Sequence, residues 1–126
     1  IGLSGMAFKG IPETSDLRGS PSINILRYLQ SKTNINYRIH DYLVPLDELN
    51  NYSKGFSCFE EFCEDLELLV ILTNTKKYKN YSSVHLKKFL NAKCIIFDLW
   101  GVLDFSYKKN FKVTTLGDMF LEGDRC

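Results

Sequence analysis

An excess of charge of either sign is missing from this sequence. Sixteen Lys and Arg stand against 15 Asp and Glu, a formal net charge of +1. A dedicated nucleic-acid binder normally carries a strong basic excess, so the charge argues against that class. Long apolar runs are missing too. None approaches the ~20 residues that cross a bilayer, and no signal peptide is expected. The expected setting is cytoplasmic, with neither membrane nor nucleic acid as partner. The four cysteines, Cys58, Cys63, Cys94 and Cys126, form no Cys-x-x-Cys pair. His40 and His85 do not flank them at metal-ligand spacing, so no metal site is expected. A reduced compartment fits this usage. Cys94 opens an apolar run and reads as a small buried hydrophobe, while Cys126, at the very end, reads as frayed.

Catalytic signatures are also lacking. There is no Ser-His-Asp arrangement, no nucleophile elbow and no P-loop. Gly2-x-x-Gly5 is only a fragment of a dinucleotide fingerprint, and Gly5 reads more simply as a bend or a point of close packing. Cys58 and Cys63 lie among Glu60, Glu61, Glu64 and Asp65, which disfavours a thiolate. A receiver-type phospho-switch needs acids after the first and third strands, where Gly5-Met6-Ala7 and Thr73-Asn74 stand instead.

What remains is an ordinary globular chain of 126 residues, 44% apolar and 25% charged, long enough for one domain and its core. Short apolar runs alternate with helix signals. Strands are expected over 1–5, 37–40, 67–72, 94–97 and 111–116. Helices are expected from Pro21 to about Lys32, from Cys58 to Leu66 and from Val84 to Leu90. Ser20-Pro21 is a strong helix start, because Ser accepts from an exposed backbone N–H and Pro at the first position loses no hydrogen bond. Residues 42–57 follow no clear pattern: Val44-Pro45 breaks regularity, and 46–52 could hold one helical turn. The alternation predicts an α/β fold, a three-layer Rossmann-like open parallel sheet of about five strands with helices on both faces. Residues 1–117 form the domain and 118–126 a polar tail. The chain opens at Ile1, already inside a strand-like run, which suggests a piece of a longer protein.

In such a sheet, ligands bind at the carboxyl ends of the strands, near the point where strand order reverses. The segment from Phe8 to Pro21 falls there. Lys9 follows the first strand and Arg18 precedes the helix. A cation on each side of a helix N-terminus makes an anion site. The plain alternative leaves Lys9 solvated and pairs Arg18 with Asp16 or Glu13. Asp41 ends the second strand, either as a ribose ligand or in a structural role; His40 beside it reads as packed. Asp98 could orient the Trp100-Gly101 turn, and Trp100 either stacks on a base or fills a gap. The lysine clusters at 76–79, 87–88 and 108–109 read as solvated faces and turns.

Gly5-Met6-Ala7-Phe8-Lys9, followed at fixed distance by Asp16-Leu17-Arg18-Gly19-Ser20-Pro21, resembles the C-terminal, UDP-binding domain of the UDP-glucose/GDP-mannose dehydrogenase family. Ile39-His40-Asp41, Leu69 to Thr73 and Ile95 to Asp98 resemble its next strands in order, so the likeness covers nearly the whole chain. The resemblance implies an enzyme of polysaccharide biosynthesis that oxidises the C6 alcohol of a nucleotide sugar to a carboxylate with two NAD molecules in turn. It implies that Phe8, Lys9 and Trp100 face the nucleotide sugar and that Arg18 reaches NAD, held mainly by an N-terminal domain. It also implies a homodimer or higher homo-oligomer for the full-length protein. The catalytic cysteine and its helpers lie upstream in that family, so no residue of this chain is assigned as catalytic. Two positions depart from the pattern. Trp100 stands where many members carry Arg, and Tyr42 follows Asp41 where Pro is usual. The runner-up reading is therefore a non-catalytic ligand-binding or assembly module of the same fold, and a flavodoxin-like protein is a third.

Overall fold

The computed structural model describes residues 1–104 and 106–123. Six strands form one all-parallel sheet: β1 (Gly2–Ser4), β2 (Arg38–His40), β3 (Lys54–Phe56), β4 (Leu68–Ile71), β5 (Ile95–Asp98) and β6 (Lys112–Thr115). Their order is β3-β2-β1-β4-β5-β6. The order reverses between β1 and β4, which opens a crevice at the carboxyl ends of those two strands. The helices are α1 (Pro21–Lys32), α2 (Leu46–Leu49), α3 (Phe59–Cys63), α4 (Ser83–Leu86), α5 (Tyr107–Asn110) and α6 (Leu116–Gly123), with a 3-10 turn over Lys76–Asn80. The Rossmann-like sheet expected from the alternation is therefore present.

The pleat divides the core. Leu3 and Ile39 point to one face and pack with Ile23 and Leu26 of α1 and Leu49 of α2. Leu69, Ile71 and Ile96 point to the other, against Phe59 and Phe62 of α3, Leu86 of α4 and Tyr107 of α5. Each buried Leu, Ile or Phe contributes roughly 1.5–3 kcal/mol of transfer free energy, so these two layers, one on each face, hold the strands in register. Helix α1 is bounded as its sequence dictates. Ser20 accepts from the Ser22 N–H, Pro21 occupies the first position, and the Thr33 N–H closes on the Leu29 carbonyl.

The differences from the sequence reading have local causes. The sheet has a sixth strand, β3, just past the possible helical turn in the segment that followed no clear pattern. Lys54-Gly55-Phe56 shows no apolar alternation and lies at the sheet edge, where only one neighbour pairs with it. Helix α3 is shorter than expected; Asp65, at φ 56°, turns the chain back and donates its N–H to the Phe89 carbonyl. Helix α4 is capped by Ser82, whose side chain accepts from the His85 N–H, and spans one turn where a helix to Leu90 was expected. Strand β6 runs straight into α6. Cys63 and Cys94 are buried free thiols, and burial pushes the Cys94 thiol up to about 11. Cys126 lies outside the described residues. Among those described, no helix is long and apolar enough to cross a membrane.

His40 is fully buried and shares a 2.8 Å hydrogen bond with Ser4 Oγ, which also bonds the Tyr78 hydroxyl at 2.7 Å. Tyr42, Phe59 and Phe62 rings surround it, and desolvation pushes its pKa down to about 3. The unfolded chain takes up this proton near pH 6.5 while the folded one refuses it. Stability is thus full above pH 6.5 and falls by about 1.4 kcal/mol per unit as pH drops toward 3. Urea unfolding at pH 7.5 and 5.5 should show this loss, and His40→Gln should flatten it.

Candidate functional site

The crevice at the sheet reversal is filled by the loop that follows β1, and hydrogen bonds fix both ends of that loop. Gly5, at φ +94°, donates its N–H to the His40 carbonyl at 2.9 Å. A side chain there would meet the Thr73 hydroxyl and lie 2.8 Å from the Thr73 nitrogen. This is the close packing expected of Gly5. The next two N–H groups, of Met6 and Ala7, both donate to Asp41 Oδ2 at 2.9 Å. The other oxygen of the same carboxylate accepts from Leu43 at 2.9 Å and Val44 at 3.2 Å. From the opposite side, Ser22 Oγ donates to the Gly5 carbonyl at 2.7 Å and Ser20 Oγ to the Met6 carbonyl at 2.6 Å. The serine that caps α1 thus also anchors the loop.

Beyond Ala7 the chain turns outward and presents Phe8 and Lys9. Phe8 is 49% exposed, and Lys9 Nζ lies 5.8 Å from its ring centroid. Together with Trp100 they line one cavity of about 290 Å³. Its other walls are Ala7, Gly10 and Ile11 of the same loop, Pro21, Ser22 and Ile25 of α1, Leu72, Thr73 and Asn74 after β4, and Leu99. Lys9 is the one charged side chain among these lining residues. The site is therefore mostly apolar and aromatic, with a single cation and the first turn of α1 at its rim. That suits a ligand with a planar ring and an anionic group.

Trp100 is held rather than loose. Its indole Nε1 donates to the Leu72 carbonyl at 3.0 Å, tying the loop after β5 to the end of β4. Asp98 orients this turn, as the sequence suggested: its Oδ1 accepts from Val102 at 3.1 Å and its Oδ2 from Leu103 at 2.9 Å. The indole still leaves 59% of the residue exposed, so the face is available for stacking.

Arg18 does not join this group. Its guanidinium grips Asp16, with Nε 3.0 Å from Oδ1 and Nη2 2.9 Å from Oδ2, and the hydrogen bond from Arg18 holds the Asp16 carboxyl below its usual range. The plain alternative drawn from spacing, an Arg18–Asp16 pair, is the arrangement observed. Arg18 lines a separate polar groove of about 530 Å³ with Glu48, Asn51 and Tyr52. The other predicted partner, Glu13, accepts instead from Thr75 Oγ1 at 2.9 Å and lies 3.8 Å from Lys77 Nζ, which latches the loop to the segment after β4. Sequence reasoning overlooked Thr73 and Asn74 as walls; their place just past β4, beside the reversal, was the available signal. Among the described residues, no three His, Cys, Asp or Glu side chains group as a metal ion would require.

Comparison with known proteins adds three findings. The family model of the UDP-glucose/GDP-mannose dehydrogenase family, UDP binding domain, matches residues 2–105. Among solved structures, UDP-N-acetyl-mannosamine dehydrogenase Cap5O from Staphylococcus aureus superposes with a TM-score of 0.74 at 25% identity, over 95% of this chain and 26% of its own. UDP-D-ManNAc dehydrogenase from Pyrococcus horikoshii gives 0.72 at 21% identity, over 93% and 25%. UDP-glucose dehydrogenase from Pyrobaculum islandicum gives 0.61 at 17%, over 89% and 23%; at the last two identities the likeness is one of fold. The chain thus spans about a quarter of the length of these enzymes. No curated protein matches the sequence.

The wedged loop is directly testable. A Cβ at Gly10 would lie 2.5 Å from the Thr75 nitrogen and 2.8 Å from Asn74 Oδ1, so Gly10→Ala must displace backbone. Stability in denaturant should fall by about 1–3 kcal/mol; an unchanged midpoint would show that the loop is not packed against the end of β4.

Proposed function

Since the chain belongs to the UDP-glucose/GDP-mannose dehydrogenase family, as its UDP binding domain, we propose that its cavity at the sheet reversal holds the UDP portion of a nucleotide sugar. The observation that carries this reading is the convergence of Phe8, Lys9 and Trp100 on one cavity beside the start of α1. Lys9 pairs with a phosphate oxygen, and the first turn of α1 adds its partial positive charge. Phe8 and Trp100 offer ring faces to the base or sugar. The full-length protein is a nucleotide-sugar 6-dehydrogenase that produces a uronic acid.

Arg18 contributes on the other side of the loop. Asp16 occupies only part of its donor fork, and Arg18 lines the polar groove, where its remaining N–H groups suit an anionic group of NAD held mainly by another domain. Bound there, NAD supplies hydride acceptance: alcohol to carboxylate gives up two hydrides to two NAD molecules and takes one oxygen from water. No residue of this chain supplies the reacting nucleophile. Its part is to bind and orient the nucleotide and to cover one side of the active site. Assembly into a homodimer or higher oligomer belongs to the full-length protein.

One observation favours the non-catalytic module instead: Trp100 occupies the position of the family arginine, which leaves the cavity a single cation. Titration calorimetry on the full-length protein should show UDP binding, and Lys9→Ala should weaken it by roughly tenfold or more, since a charge-assisted hydrogen bond contributes about 1.5–3 kcal/mol. NAD reduction in the presence of UDP-sugars separates the readings. Binding with reduction supports the dehydrogenase; binding without reduction supports the module; absence of both ends the proposal.

A further inference from the structure

We infer that Asp41 is a positioning residue for the nucleotide site, setting the loop that presents Phe8 and Lys9 although it contacts no ligand itself. The inference rests on the nucleotide reading of the cavity. Its basis is the pattern of donors around one carboxylate. An aspartate at this point of a dinucleotide fold would ordinarily be free to meet a ribose. Here Oδ2 accepts from Met6 and Ala7, and Oδ1 from Leu43 and Val44. Asp41 is 7% exposed, and four backbone N–H groups take up nearly all of its accepting capacity. It is a bridge within the protein.

The two N–H groups on Oδ2 belong to the residues immediately before Phe8. No strand partner is available to them, because β1 ends at Ser4 and Gly5 turns the chain at positive φ. Without the carboxylate they would be buried donors with no acceptor. The carbonyls of Gly5 and Met6 are fixed separately by Ser22 and Ser20, so the peptide planes of this turn are clamped on both sides. Phe8 and Lys9 project from the end of that clamp. A carboxylate is needed because only an ionised group offers two oxygens that each accept two N–H bonds. In the Asp41→Asn variant the amide nitrogen would face two donors, so one of the two N–H pairs must lose its partner.

The test uses the full-length protein and three forms: unmodified, Asp41→Asn, and Leu86→Ala. Leu86 is buried on the opposite face of the sheet and supplies a loss of stability unrelated to the loop. Below the melting range of all three, Asp41→Asn should weaken UDP binding by roughly tenfold, about 1.4 kcal/mol, and raise KM for the UDP-sugar while kcat changes little. Leu86→Ala should bind UDP as the unmodified protein does. Amide exchange at Met6 and Ala7 should quicken in Asp41→Asn and not in Leu86→Ala. Unaltered UDP affinity in Asp41→Asn, or equal weakening in Leu86→Ala, would overturn the inference. Should the unmodified protein bind no UDP, the nucleotide reading fails; the clamp is then decided by exchange alone, and persistent protection of the Met6 and Ala7 amides in Asp41→Asn would sink it.

Discussion

One carboxylate governs the working end of this domain. A parallel sheet leaves the backbone groups at its carboxyl edge without ladder partners, and every loop that leaves the edge must find acceptors for its N–H groups. At the β1 end the acceptor is Asp41, reached across 35 residues of sequence by Met6. At the β5 end it is Asp98, which collects the N–H groups of Val102 and Leu103. The same solution appears twice on one sheet, and each time the fixed turn carries side chains of the cavity.

This arrangement explains how a small domain can build a defined cavity from loops. Loops are ordinarily the mobile part of a fold. Here the loop after β1 is bonded to the residue that follows β2, Asp41, to α1 by Ser20 and Ser22, and to the segment after β4 by Glu13. The loop after β5 is tied to β4 by the Trp100 indole. The energies of the single bonds are modest, of order 1 kcal/mol each, yet together they leave the cavity walls little freedom. A ligand entering a site held in this way loses less binding energy to ordering the protein.

The buried polar network around His40 belongs to the same edge but serves a different end. Ser4, His40 and Tyr78 join β1, β2 and the 3-10 turn beneath the loop. They lie among aromatic rings of the core and not on the cavity. The order Ile39-His40-Asp41 therefore separates two roles in adjacent residues, a consequence of alternation along a strand: the side chain that points into the core packs, and the one that ends the strand turns to the loops.

Much of this was legible in the sequence, because local structure depends on near neighbours. Apolar runs at Leu3, Ile39, Leu69 to Leu72 and Ile95 to Phe97 marked four strands. Ser20-Pro21 marked the start of α1, and the motif from Gly5 to Pro21 marked both the loop at the sheet reversal and the family. Strand β3 escaped because an edge segment with Lys54 and Gly55 carries no buried alternation. What only tertiary structure decided was pairing over long distance. It brought Trp100 to the cavity of Phe8 and Lys9, set Arg18 beside Glu48, Asn51 and Tyr52 in another groove, and made Asp41 an anchor rather than a free ligand. Periodicity reports which face of an element is buried; which donor a carboxylate meets depends on strand order and register, and these exist only once the sheet has formed.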